Sequence, residues 1–86
     1  MAFNPIIFDI ITDLHGVSTY LNMRSNIYEY RKFLPIFRLI GVGSFETALC
    51  KLYILNNDLT LLTLPPYLMV WYHQAIEKLE NVVNIN

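Results

Sequence analysis

Charged side chains are scarce in this chain of 86 residues. Asp, Glu, Lys and Arg make up 15% of it, against about 25% in an ordinary soluble domain. A domain of this length buries only about 60% of its unfolded surface, or a little more. Six basic and seven acidic residues are few to cover the remainder. Apolar patches on the outside are therefore expected, and such patches usually mark a contact with protein or membrane. Tyr, Asn, Thr and Ser offer another way to cover that surface, and the chain supplies these too. The net charge of −1 gives no bulk attraction for nucleic acid.

Cysteine occurs once, at Cys50, which excludes an internal disulfide framework. Its apolar neighbours predict a small buried hydrophobe there. Glycine occurs three times. Gly41-x-Gly43 lacks the third glycine and the preceding strand of a dinucleotide site. Asp9, Asp13 and His15 have a spacing that invites a cation, but His15 stands two residues from Asp13 and points elsewhere on a continuous helix. A solvated acidic face is the expectation. Cys50 with His15 or His73 has no accompanying nucleophile motif. The sequence thus predicts no enzyme, no resident metal or cofactor, and no small-molecule substrate.

A long apolar run is also missing. The longest uncharged stretch, Leu59–Ile76, contains Pro65-Pro66, two threonines, His73 and Gln74, whereas a spanning helix needs ~20 predominantly apolar residues. The first residues lack a positive region and carry Asp9 within their apolar run, unlike a secretory leader. An intracellular protein is expected. Peripheral membrane contact stays open, although the basic amphipathic signature for it is thin. The abundance of Asn and Ile points to an AT-rich genome, such as that of a virus, endosymbiont or organelle.

Helical periodicity is what the chain has in quantity. Asn4-Pro5 reads as an N-cap followed by a first-turn proline. Ile7, Ile10, Ile11 and Leu14 follow at helical spacing, and His15-Gly16 reads as the stop. The first helix is placed at about 5–15. Ser18 then caps a second helix at about 19–40, kinked near Pro35, which removes a backbone donor and crowds the preceding turn. Within it Tyr20, Met23, Ile27, Tyr30, Leu34 and Phe37 form a seam spaced 3, 4, 3, 4, 3. Ser25-Asn26 is a second weak point that could cap a new helix. Gly41-Val42-Gly43 stops the element.

Ser44 caps a third helix at about 45–55, with Glu46 in its first turn and Phe45, Ala48, Leu49, Leu52 and Leu55 as its apolar stripe. Leu59–Leu64 reads as a connector, because no second strand exists to pair with it. Pro65-Pro66 opens a fourth helix at about 65–83, with Leu68, Tyr72, Ala75 or Ile76, Leu79 and Val82 facing inward. The whole, residues 1–86, is expected to be a single all-α domain, a small bundle of four helices with antiparallel neighbours.

Two groups of side chains stand out as candidate partner-binding residues. Arg24, Arg31 and Arg38 recur every seven residues and would form one stripe on a continuous helix. A break at Ser25-Asn26 would remove Arg24 from it. Such a stripe suits an acidic helix, a phosphate backbone or anionic lipid. The plainer reading is a solvated face whose arginines pair with Glu29 and the acidic ends. Tyr67, Trp71 and Tyr72 cluster after the prolines, and Tyr67 and Trp71 share a face. Such rings are typical of interface hot spots and equally of small cores. The expected function is a protein–protein interaction or assembly module, self-associating or a subunit of a larger complex. The alternative is a binder of nucleic acid or an anionic surface through the arginines.

Overall fold

Apolar residues at spacings of three and four dominate every long segment, and the chain buries them by packing helices side by side. The computed structural model describes residues 5–24, 27–57 and 64–85. Apart from turns, these residues form four helices: α1 (Pro5–Met23), α2 (Ile27–Gly41), α3 (Phe45–Asn56) and α4 (Pro66–Ile85). Each packs on two neighbours in the cyclic order α1, α2, α3, α4. The bundle measures 37 × 20 × 19 Å, and its radius of gyration is 12.3 Å. That radius matches the ~12 Å of a close-packed chain this long. The all-α four-helix architecture read from the sequence is the one observed.

The boundary between the first two helices is not where the sequence placed it. Gly16 does not end a helix at 5–15; α1 runs through it to Met23. Ser18 caps nothing. It lies buried inside α1, and its hydroxyl donates to the His15 carbonyl at 3.0 Å. A mid-helix glycine costs roughly 0.5–1 kcal/mol relative to alanine. Ile10, Leu14, Val17 and Leu21 are all buried along one face, and each is worth about 1.5–3 kcal/mol. Burial therefore outweighs the glycine. The break falls instead after Arg24, whose N–H still reaches the Tyr20 and Leu21 carbonyls at 3.2 Å. The second helix begins at Ile27, not at residue 19. The capping role read for Ser25-Asn26 falls outside the described residues.

That break changes the phase of the second helix. The expected seam is not the core face: Met23 is 79% exposed and Leu34 is exposed, while Tyr20, Tyr30 and Phe37 are only half-buried. Phe33, Ile36 and Ile40 face the core instead, one residue out of register with the expectation. One residue is about 100° of helix, so the inward face rotates by a quarter turn or slightly more. Pro35 lies inside α2, and the helix passes through it without a break. Its ring is on the exposed side, where water can reach the backbone it disturbs.

The α2–α3 turn follows its glycines. The Ser44 N–H donates to Leu39 at 2.8 Å and the Gly43 N–H to Ile40 at 3.1 Å. These are the paired bonds of a Schellman cap, with Gly43 at φ +84° in the left-handed position. Ser44 stands at the N-cap of α3, but its side chain makes no capping bond. Ala48, Leu49, Leu52 and Leu55 are buried as the stripe predicts, and Asn57 closes the helix through its N–H to Ile54.

Residues 59–63 of the Leu59–Leu64 connector lie outside the described residues; Leu64 is buried. Pro65 then supplies the carbonyl that accepts from Leu68 and Met69, and Pro66 takes the first helical position. Leu68, Tyr72, Ala75, Ile76, Leu79 and Val82 are all buried. Tyr72 stands edge-on to Phe33 at 6.4 Å, joining α4 to α2 across the core. Among the described residues, no helix is long and apolar enough to cross a membrane.

Candidate functional site

Among the described residues, candidate side chains fall on two surfaces of the bundle. The first lies on α4. Tyr67, Val70 and Trp71 are spaced three and four apart, so they share a face, and all three are exposed. The Tyr67 and Trp71 rings meet edge to face at 5.7 Å, a favourable arrangement of their quadrupoles. Gly16 of α1 makes room for the indole. A Cβ built there would stand 2.7 Å from the edge of the Trp71 ring. Glycine at this point of α1 therefore lets the indole lie against the α1 backbone while its outer part stays in water. Below it, Asp13 of α1 and Lys78 of α4 pair at 3.0 Å. These two contacts, 16 with 71 and 13 with 78, establish that α1 and α4 run antiparallel.

The second surface is a groove between α2 and α3. Lys32, Pro35 and Ile36 form one wall, and Lys51, Ile54 and Leu55 the other. Its volume is about 270 Å³ and its lining is mostly apolar. Ile36 and Leu55 are buried and form the floor, whereas Ile54 is 72% exposed at the edge. Arg31 and Arg38 lie four before and three after Pro35, which places all three on one face of α2. Both arginines are exposed. Four cations therefore gather at or beside an apolar slot.

The arginine stripe thus survives only in part. Arg31 and Arg38 stay aligned on α2, while Arg24 sits in the turn after α1, its guanidinium over the Tyr20 ring at 5.4 Å. The aromatic cluster also divides. Tyr67 and Trp71 face outward together, but Tyr72 is fully buried and is a core residue, not a surface one. Its hydroxyl donates to the Leu52 carbonyl of α3 at 2.5 Å. Burial raises its pKa well above the ordinary phenol value. Neighbours in sequence point about 100° apart on a helix, so Trp71 and Tyr72 could not both face the same way.

The remaining candidates are dispersed. Asp13 is held by Lys78 and Asp9 is exposed. His15 is mid-helix, with Nδ1 3.4 Å from the Thr19 hydroxyl and its ring beside Phe37. Cys50 is exposed and not the buried thiol expected; α3 turns its Ala48–Leu49 edge inward and leaves position 50 outside. Among the described residues no three potential metal ligands come together. Tyr53 donates a hydrogen bond to the Glu80 carboxylate across the α3–α4 seam, and this bond is the main cause of its raised pKa.

The groove was the feature that sequence reading missed. Lys32 and Lys51 are not periodic with the arginines and stand nineteen positions apart in the chain. The α2–α3 hairpin brings them together. The available signal was Pro35, an exposed proline midway between two aligned arginines. Comparison of this chain with known family models, with curated proteins and with solved structures yields no match.

Proposed function

We propose that this protein is an assembly module that associates through exposed apolar and aromatic surface rather than an enzyme. The observation that carries this reading is the Tyr67–Val70–Trp71 face. A bundle with a complete core of its own still leaves two rings, packed edge to face, and a valine exposed. Rings of this kind, rigid and largely apolar, are the commonest anchors of protein interfaces. The low charge content of the whole surface supports the same conclusion. Self-association is the form of it we favour. The test is light scattering on purified protein from about 10 μM to about 1 mM, a range that detects weak complexes. The expected result is a mass rising above that of the 10.1 kDa monomer. A constant monomer mass throughout would overturn self-association.

The groove supports a second reading, binding of an anionic polymer or surface. Arg31, Lys32, Arg38 and Lys51 lie within two adjacent helices. If all four met phosphates of duplex DNA, the log–log salt dependence of affinity would have a slope of about −3.6, and about −2.8 on a single strand. A flat response dismisses this reading.

A further inference from the structure

Building on the assembly reading, we propose that the partner is a second copy of this chain, joined head to tail, with the Tyr67–Trp71 ring pair of one copy seated in the α2–α3 groove of the next.

The two surfaces cannot meet within one molecule. The ring pair is on α4 beside α1, and the groove is between α2 and α3 on the other side of the cyclic arrangement. A contact between unlike surfaces is heterologous. It leaves an unused ring pair at one end and an unused groove at the other, so copies add until a ring closes or a filament grows.

The surfaces match in charge. Helices α2 and α3 carry Arg31, Lys32, Arg38 and Lys51 against Glu29 and Glu46, a formal +2. Helices α1 and α4 carry Asp9, Asp13, Glu77 and Glu80 against Lys78, a formal −3. On α4 the exposed Glu77 lies seven residues beyond Val70, on the same face. The basic side of one copy therefore attracts the acidic side of another, and like sides repel, which disfavours a symmetric back-to-back dimer.

The surfaces also match in kind. A groove of about 270 Å³ falls just below the ≈ 300–1,000 Å³ of small-molecule pockets, and is better suited to a side chain or two. Its floor is aliphatic and its rim carries Lys32 and Lys51. Ammonium groups beside an apolar floor favour aromatic occupants, because the ring face attracts the cation while the ring body covers the floor. Tyr67 and Trp71, 58% and 40% exposed and in edge-to-face contact, supply such a pair of rings.

The experiment uses two full-length variants, each altered only at exposed positions. Tyr67→Gln with Val70→Gln breaks the knob and keeps Trp71 as the fluorescent reporter. Lys51→Gln with Ile54→Gln spoils the groove. Circular dichroism first shows that both keep the wild-type helix content and melting transition; a variant that does not is replaced by Tyr67→Gln or Ile54→Gln alone. Light scattering then measures each protein singly and mixed. The expected result is self-association by the wild type, weakened at least about tenfold in each variant. An equimolar mixture of the two should form a capped 1:1 dimer, because one partner retains the groove and the other the knob. The emission of the sole tryptophan should shift to the blue on mixing. A wild type that associates while the mixture stays monomeric overturns the head-to-tail arrangement and leaves the assembly reading standing. A wild type that is monomeric at every concentration overturns both.

Discussion

Tyr72 shows how much one polar atom can tie down. Its hydroxyl crosses from α4 to the Leu52 carbonyl of α3 while its ring packs on Phe33 of α2. Tyr72→Phe keeps the ring and removes the bond, and should lower stability in urea unfolding by about 1 kcal/mol at pH 7. The pH dependence has a definite sign. Burial holds the phenol neutral, so its folded pKa lies above the unfolded value of 10.0. Its contribution is whole below about pH 10 and is lost as pH rises beyond that, by up to about 1.4 kcal/mol per unit. Wild type should lose stability steeply there. The Phe variant should lose less, with a shallower fall remaining from Tyr53, whose pKa is raised in the same direction. Gly16→Ala gives a second test at this scale. Alanine favours the helix by roughly 0.5–1 kcal/mol, but its Cβ would overlap the indole edge, so Trp71 must swing outward. Net stability should change by less than about 1 kcal/mol, while the tryptophan emission moves to the red; unchanged emission would show that the ring does not rest there. The sequence pattern places Tyr72 both in the inward seam of the fourth helix and in the aromatic cluster after the prolines. Periodicity gave the right answer and proximity along the chain the wrong one. Nothing in the sequence marked Gly16 as a seat for a distant indole, because that partner lies 55 positions further along and becomes its neighbour only once α4 has folded back.

At the scale of helices, the third and fourth were legible nearly to the residue. Their apolar stripes are unbroken, and their ends carry strong signals: Gly43, Asn57 and Pro65-Pro66. The first two were not, because two local signals competed. His15-Gly16 resembles a stop, and Arg24 onward resembles a continuous seam. The bundle resolves the competition in favour of burial, since a break at Gly16 would forfeit the buried placement of Val17 and Leu21. The two glycines of the α2–α3 turn give a paired prediction. Gly43→Ala forces a left-handed angle on alanine and should destabilise by about 1–2 kcal/mol. Gly41 ends α2 with open space around its Cα, so Gly41→Ala should stabilise by about 0.5–1 kcal/mol. Urea midpoints measured side by side check both signs.

For the whole molecule, the distribution of charge matters more than its total. A net −1 conceals a basic half and an acidic half. The sequence itself sets most basic residues between Arg24 and Lys51 and most acidic ones on either side. It did not show that folding would place them on opposite sides, because that depends on the cyclic order of the helices. Screening length falls from about 10 Å at 0.1 M salt to about 3 Å at 1 M, so association in light scattering should weaken several-fold over that range. Association that strengthens with sodium chloride would mean that apolar burial alone drives it. The antiparallel pairing of α1 with α4 has a separate consequence. Residues 5 and 85 come to the same end of the bundle, so a short linker can join them. A circular permutant opened within the residue 58–63 connector would then keep every helix next to its present neighbours, and the order in which the chain is synthesised would cease to matter to the finished fold.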